Sequence, residues 1–166
     1  GAVLVKVMMA NVCGSDLHIW RGEYDVSRGD PEPYSRAIGH EMTGTVYKLG
    51  DGVTTDSEGK PLAIGDRVVY RYFIPCGKCK ACMRRSTPRC LRGLRHRHPP
   101  EVFPHFNAAY GQYFYLQPGC TIYKVPDNVT DDMAGPANCA LAQVIYGLEQ
   151  ARTGFGDHVV VQGCGG

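Results

Sequence analysis

The sequence predicts a mainly β domain followed by a helix and one further strand. Glycine (21 residues) and proline (11 residues) together approach a fifth of the 166-residue chain, which favours short strands and turns over a helical bundle. Apolar residues make up 43% and charged residues 20%, so the chain should fold around a hydrophobic core. Most short apolar runs lie before Pro126, and a longer run with helical spacing follows it.

Five runs rich in apolar and β-branched residues predict the strands of the first part. They are residues 2–10, 42–49, 67–73, 113–116 and 121–125. Between the second and third strands, the segment TTDSEGKPLAIGD has the turn residues of a β-hairpin connection. After the first strand, Ser15 or Asp16 could cap a short amphipathic stretch over residues 17–21.

The last part of the chain predicts helices and a strand. Residues 130–135 predict one helical turn, and residues 136–150 predict a helix. The apolar residues of this helix share one stripe: Leu141, Val144, Ile145 and Leu148. Residues 158–162 (HVVVQ) predict a buried strand that runs directly into a glycine-rich turn at residues 163–166.

The composition excludes several classes of protein. No apolar run nears the roughly 18 residues that a bilayer-spanning helix needs, so we expect no membrane partner. The first residues, GAVLVKVMMA, lack the pattern of a signal peptide. The eight cysteines are therefore interpreted as metal ligands before disulfides, and we expect a cytoplasmic protein.

Four of the cysteines cluster within 15 residues. Cys76, Cys79, Cys82 and Cys90 form the pattern C-x2-C-x2-C-x7-C. Two thiolates separated by two residues can bind one metal ion, because the turn between them points both sulfurs inward. Four sulfurs without a histidine fit a closed, tetrahedral structural zinc site, and iron could use the same ligands. Unrelated thiols or disulfides are the alternative.

Basic residues surround these cysteines. Residues 67–97 carry ten lysines and arginines and no acidic residue, within a chain of net charge +2. This charge permits a second hypothesis, a zinc-stabilised binding module whose basic lobe contacts nucleic acid or an acidic partner. Four thiolates on Zn²⁺ leave a charge of −2 that nearby cations would offset, and the aromatic residues of a single-strand platform are missing within the lobe. The sequence therefore does not favour nucleic acid.

Three separate residues predict a second, open metal site. Cys13 follows the first strand, His40 precedes the second, and Cys139 lies at a helix N-terminus, where the helix dipole and Asn138 would favour a thiolate. Two cysteines and one histidine with a vacant fourth position are a known catalytic zinc arrangement. Asp16 and Glu41 could orient the imidazole or tune the metal. From spacing alone, cysteines buried as small apolar side chains explain the pattern equally well.

Several motifs resemble those of the zinc-dependent medium-chain alcohol dehydrogenases. CGSDLHIWRG, GHEMTGTVYKLGDGV, the four-cysteine lobe and VVVQGCGG occur in the order seen in that family. The resemblance covers essentially the whole chain. It implies that residues 1–135 form a GroES-like, partly open β-barrel domain, with a structural zinc lobe at residues 76–98. It also implies that residues 136–166 are a connecting helix and the first strand of a truncated Rossmann domain.

The resemblance assigns roles to individual residues. Cys13, His40 and Cys139 look like ligands of a catalytic zinc, and Cys76, Cys79, Cys82 and Cys90 look like ligands of a structural one. Ser15 matches the hydroxyl residue beside the substrate oxygen, and His18 matches the outer member of a proton relay. Asp16 and Glu41 match residues that support the zinc ligands. Trp20 falls where the family often lines the substrate pocket, although a core position is equally compatible.

The implied activity is reversible oxidation of a small alcohol to an aldehyde or ketone, with hydride transfer to NAD or NADP. Gly163, Gly165 and Gly166 resemble the first half of the dinucleotide fingerprint G-x-G-x-x-G. We expect two zinc ions per chain, a homo-oligomer (dimer or tetramer) for the full-length protein, and no dehydrogenase activity from the 166 residues alone. A polyol or threonine dehydrogenase of the same superfamily is the alternative within the class, and the basic binding module is the alternative outside it.

Overall fold

The computed structural model of the chain describes residues 1–23, 37–84, 86, 90, 94–95 and 101–163, with only the backbone of residues 94 and 95. Among these residues, no helix has both the length and the apolar composition required to cross a bilayer. Gly165 and Gly166 of the predicted fingerprint, and most of the segment between Arg84 and residue 101, lie outside the described residues.

A five-stranded antiparallel sheet organises the fold. Its strands in spatial order are β6 (Tyr113–Leu116), β1 (Val3–Asn11), β2 (Glu41–Leu49), β3 (Arg67–Tyr70) and β7 (Ile122–Lys124). In the register of β1 and β2, Val3 lies opposite Leu49 and Asn11 lies opposite Glu41. The end of β1 and the start of β2 therefore lie at the same end of the sheet, and the site described below is at this end.

The other elements are short. Strands β4 (Phe73–Ile74) and β5 (Leu94–Arg95) form a separate two-stranded sheet. The helices are α1 (Gly14–Trp20), α2 (Lys80–Met83), α3 (Asp131–Ala134), a 3-10 helix (Gly135–Asn138) and α4 (Ala140–Gln150). The prediction of a mainly β chain with few helices is confirmed, whereas its division at residue 135 stays a prediction.

The core packs against the five-stranded sheet. The largest fully buried side chains come from four of its strands: Val3, Val5, Met42, Thr43, Val46, Val68, Phe114 and Leu116. On β3 and β6, buried and partly exposed residues alternate, whereas both faces of β2 are covered at its start. Each fully buried valine, leucine or phenylalanine contributes about 1.5–3 kcal/mol, so this core is the main source of stability.

Gly44 of β2 lies where no side chain fits. A Cβ at this position would overlap the carbonyl oxygen of Lys6 and the side chain of Val5, both on β1. Since the Lys6 backbone belongs to the β1–β2 ladder, it cannot yield without breaking strand hydrogen bonds. Gly44→Ala is therefore expected to lower the free energy of unfolding by about 2–3 kcal/mol in denaturant titrations. The control is Gly147→Ala in α4, where no atom lies within 4 Å and the change should be neutral or stabilising; equal effects would contradict the prediction.

Two element boundaries differ from the sequence prediction. The third predicted strand, residues 67–73, ends at Tyr70, because the chain leaves the large sheet and residues 73–74 pair with β5 instead. The first helix begins at Gly14, so the prediction of Ser15 or Asp16 as its N-cap was wrong. Cys13 is the N-cap residue. The carboxylate of Asp16, at the third helical position, accepts a hydrogen bond from the backbone N–H of Cys13 at 3.1 Å.

The predicted helix over residues 136–150 is divided in two. The 3-10 helix ends at Asn138, and α4 begins at Ala140, because the backbone of Cys139 leaves the helical region (φ −141°, ψ −78°). The apolar stripe of α4 is 40–60% exposed in the described chain.

The predicted buried strand over residues 158–162 is not formed, and this prediction was wrong for the described chain. Val159, Val160 and Val161 are 51%, 93% and 68% exposed. No other strand of the described residues lies beside them, and an extended segment is stabilised only when a neighbour pairs with its backbone groups.

Candidate metal centres

The four cysteines of the lobe lie around one point in space. All four Sγ atoms lie within 4.8 Å of one another. The Sγ of Cys79 is 3.6 Å from that of Cys82 and 3.8 Å from that of Cys90. Because a tetrahedral zinc ion with Zn–S bonds of about 2.3 Å requires sulfurs about 3.8 Å apart, this four-cysteine cluster fits a closed zinc site.

Local structure brings these thiols together. Cys79 is the N-cap residue of α2, which places the buried Cys82 one turn later, and the backbone N–H of Cys76 donates to the Sγ of Cys90 at 3.3 Å. The backbone N–H of Lys78 lowers the pKa of the Cys76 thiol, whereas burial and the neighbouring sulfurs raise the pKa of Cys82 to about 12. A divalent cation would favour the thiolate form of all four.

A second cluster, called the open cluster below, consists of Cys13, His40 and Cys139. Their ligand atoms lie within 4.8 Å of one another and of a carboxylate oxygen of Glu41. Cys13 follows β1 and His40 precedes β2, so the register of these strands brings both residues to one end of the sheet. Cys139 joins them from the junction between the 3-10 helix and α4. Two sulfurs and one imidazole nitrogen fit a zinc ion with a fourth position left for another ligand.

Burial dominates the electrostatics of Cys139. The side chain is 7% exposed, and burial, reinforced by Cys13 and Glu41, raises the pKa of its thiol to about 12. The Nε2 of Gln143, one turn into α4, donates to the sulfur at 2.9 Å and opposes this shift. The helix N-terminus and Asn138 were expected to favour a thiolate, but they do not outweigh the effect of burial on the pKa of Cys139. A bound cation would be needed to stabilise a thiolate at this buried position.

Asp16 joins two members of the open cluster through one carboxylate. It is 2% exposed. Its Oδ1 accepts from the backbone N–H of Gly39 and from Nδ1 of His40, both at 3.1 Å, and its Oδ2 accepts from the backbone N–H of Cys13 at 3.1 Å and from the hydroxyl of Tyr110 at 3.0 Å. A carboxylate that holds the proton on Nδ1 leaves the Nε2 lone pair available for a metal.

Glu41 and Asn138 hold Cys139, the third member of the open cluster, in place. Oε1 of Glu41 accepts from the backbone N–H of Ala140 at 3.0 Å, which ties the start of α4 to β2. The Asn138 side chain donates to the carbonyl of Met42 at 2.6 Å and accepts from the backbone N–H of Tyr70 at 3.1 Å. Asn138 thus binds the backbone of β2 and β3 and anchors the neighbouring Cys139 against the sheet.

The other residues singled out in the sequence lie on or near α1. The Ser15 hydroxyl donates to the Sγ of Cys13 at 3.4 Å, so it lies beside the open cluster. His18 is half-exposed, and its Nδ1 is 2.5 Å from a carboxylate oxygen of Glu23. Trp20 is 74% exposed, so the core alternative for its side chain was wrong. Gly163 has a left-handed φ of 85°, as a tight glycine turn requires.

Sequence reasoning did not single out several residues around the open cluster. The ring of Tyr72 lies 5.0 Å from that of His40, and the hydroxyl of Tyr70 donates to the His40 carbonyl at 2.8 Å. Tyr110 and Gln143 contact Asp16 and Cys139, as described above. None of these tyrosines belongs to a short motif, so only the strand register could have placed them near the open cluster. For Gln143, the one signal in the sequence is its i, i+4 spacing from Cys139.

Cys120 belongs to neither cluster. Burial raises the pKa of its thiol to about 12, and its Sγ donates to the carbonyl of Arg71 at 3.5 Å. It behaves as a small, partly buried side chain with no metal partner among the described residues. Cys164 lies outside the described residues.

The chain thus combines a small antiparallel sheet with two clusters of potential zinc ligands, one closed and one open. A model of the family described as "Alcohol dehydrogenase GroES-like domain" matches residues 1–127, and the chain belongs to this family. The predicted GroES-like fold and the resemblance to medium-chain alcohol dehydrogenases are thereby confirmed.

Individual relatives agree. The chain is 33% identical to a 5-exo-hydroxycamphor dehydrogenase of Pseudomonas putida, over 99% of this chain and 44% of that protein. It is 31% identical to a D-xylulose reductase A of Aspergillus oryzae, over 98% of this chain and 41% of that protein. A crystal structure of an alcohol dehydrogenase from Thermotoga maritima superposes with a TM-score of 0.81 at 29% identity, covering 93% of this chain and 42% of that one. The chain thus spans less than half the length of these relatives.

Proposed function

We propose that the complete protein is a zinc-dependent dehydrogenase that oxidises a small alcohol to an aldehyde or ketone, reversibly, with NAD or NADP as the hydride acceptor. The observation that carries this proposal is the convergence of Cys13, His40 and Cys139 within 4.8 Å from three separate parts of the chain. Glu41 also lies within this distance, and the backbone N–H of Ala140 donates to one of its carboxylate oxygens. With Cys13, His40 and Cys139 as the protein ligands, one position would remain for a substrate oxygen, which a closed structural site does not leave.

The proposal assigns a catalytic zinc to the open cluster and a structural zinc to the four-cysteine cluster. Cys13, His40 and Cys139 would hold a zinc ion at the open cluster, which would supply Lewis-acid catalysis for the substrate hydroxyl. The residues of the chain do the rest. Asp16 holds His40 in one tautomer and orientation, and Glu41 and Asn138 hold Cys139 in place.

Proton transfer follows the first helix. Ser15, beside Cys13, would receive the proton of the substrate hydroxyl while it passes its own hydroxyl proton outward along the relay that ends at His18. His18 lies three residues further along α1, on the same face and half-exposed, so it can release a proton to water. The carboxylate of Glu23 orients its ring. Trp20 lies at the end of the same helix and is proposed as a wall of the substrate pocket.

The remaining assignments follow the family. Gly163, Gly165 and Gly166 would lie against the dinucleotide pyrophosphate, and the complete protein is proposed to be a homodimer or homotetramer. A cytoplasmic location is proposed because the cysteines are interpreted as metal ligands and not as disulfides. The D-xylulose reductase relative favours a polyol as the second candidate substrate.

Zinc stoichiometry tests the proposal. Elemental analysis of the complete protein should give two zinc ions per chain, one lost in His40→Ala and the other in Cys82→Ala. The cysteine outside both clusters supplies the control, because Cys120→Ala should keep both ions. One zinc ion that only Cys82→Ala removes would overturn the proposal and favour a binding module stabilised by the lobe alone, whose affinity for nucleic acid would fall steeply with salt.

A further inference from the structure

Tyr110 is the only side-chain hydroxyl that the described structure places on the Asp16 carboxylate, about 100 residues away in the sequence. We propose that Tyr110 is a positioning residue of the open cluster: its hydroxyl fixes the Asp16 carboxylate, which in turn orients Cys13 and His40. This inference rests on the proposed zinc site and deepens it, since it adds a residue that acts on two ligands without touching the metal.

The hydrogen bonds of Asp16 carry the first step. Each of its two oxygens accepts from two donors, and the side chain is 2% exposed, so solvent cannot replace a lost donor easily. Without the Tyr110 hydroxyl, Oδ2 keeps only the backbone N–H of Cys13, while Oδ1 keeps both of its donors. The carboxylate is then held by three donors in place of four, and only one of them fixes Oδ2, so the acceptor of the His40 Nδ1 is held less rigidly.

The backbone of Ala109 and the ring of Tyr110 support the second step of the argument, because they restrict movement of the Tyr110 hydroxyl. The backbone N–H of Ala109 donates to the Gly39 carbonyl at 2.9 Å, which attaches this segment directly before His40. The Tyr110 ring then covers Gly39 so closely that a Cβ there would lie 2.9 Å from two ring atoms. Gly39 also has a φ of 98°, so glycine is needed at this position on both counts.

The protonation state of Tyr110 agrees with a donor role. Burial and the hydrogen bond to Asp16 raise the pKa of the phenol above its usual value, so the hydroxyl keeps its proton at neutral pH. The same hydroxyl lies 3.4 Å from the Asn11 carbonyl at the end of β1, but the single O–H donates to the nearer Asp16 carboxylate at 3.0 Å. The phenol thus links the segment before β6 to α1 and lies beside the end of β1, and these two elements flank Cys13.

The test compares three forms of the complete protein: the natural sequence, Tyr110→Phe and Tyr47→Phe. Tyr47→Phe removes the hydroxyl of an exposed tyrosine of β2 outside both clusters and is the matched control. Zinc affinity is measured at each site by titration with a chelator, and Co²⁺ substituted at the open cluster reports ligand geometry through its visible absorption. The four-cysteine cluster of the same molecule is the internal reference.

For Tyr110→Phe we expect about tenfold weaker zinc binding at the open cluster, an altered Co²⁺ spectrum and unchanged affinity at the four-cysteine cluster. Tyr47→Phe should change none of these. Affinity at the open cluster within twofold of the natural sequence, or equal weakening at both clusters, would overturn the inference and leave the proposed function standing. Failure of the natural protein to bind zinc at the open cluster would instead overturn the proposed function and this inference with it.

Discussion

Replacing Cys82 by alanine is expected to unfold the four-cysteine lobe locally. The lobe has little else to hold it, since its described elements are a four-residue helix and two strands of two residues. Structural zinc contributes about 10–16 kcal/mol in small zinc domains, so loss of the ion in Cys82→Ala should cost the lobe more than the roughly 3 kcal/mol that a hundredfold change in exchange requires. Amide hydrogen exchange over residues 76–83 should therefore become at least about a hundredfold faster.

The comparison variant is Cys120→Ala, which removes a partly buried thiol outside both clusters. It leaves a small cavity and should cost about 1 kcal/mol without changing exchange in the lobe. A chelator that removes the lobe zinc should reproduce the Cys82→Ala result in the natural protein. Unchanged exchange over residues 76–83 in Cys82→Ala would show that packing alone holds the lobe and that its cysteines are not structural ligands.

The sequence predicted the fold class because strand patterns are local. Each β-branched run can be recognised within a few residues. Of the five strands predicted before Pro126, four occupy nearly their predicted positions. The strand prediction for residues 158–162 was wrong because an apolar run becomes a strand only when a neighbouring strand pairs with it. That neighbouring strand cannot be read from the run itself. The break at Cys139 was missed for a similar reason: side-chain contacts of Asn138 with β2 and β3 select that backbone conformation.

The candidate ligands were also predictable, whereas their supports were not. The chelating spacing of Cys76, Cys79 and Cys82 and the family motif around His40 can be found by inspection, and the structure brings the members of each cluster together. Tyr110 and Asn138 belong to no motif. Their side chains form hydrogen bonds with residues about 100 positions away, at or beside the open cluster, which only the folded chain reveals.

Asp16→Asn is expected to disable the open cluster more than any other change outside its ligands. The asparagine keeps the shape of aspartate but replaces one acceptor oxygen by an NH₂ group. Whichever way the amide turns, its NH₂ faces two donors: Gly39 and His40, or Cys13 and Tyr110. Because Asp16 is 2% exposed, water cannot easily replace its carboxylate as the acceptor, so each mismatch costs about 1–3 kcal/mol. Zinc affinity at the open cluster should fall by about 10–100-fold, and dehydrogenase activity of the complete protein should fall at least as much.

A second buried aspartate separates this effect from a loss of stability. Asp56 is 6% exposed and accepts from three backbone N–H groups, those of Glu58, Lys60 and Lys124. Burial works against its ionisation, but these donors hold the pKa of Asp56 below its usual value. Asp56→Asn should therefore destabilise the fold by an amount similar to Asp16→Asn, yet retain both zinc ions, because it touches neither cluster. If Asp56→Asn lost the open-cluster zinc as readily as Asp16→Asn, Asp16 would be a general stabilising residue and not a support of Cys13 and His40.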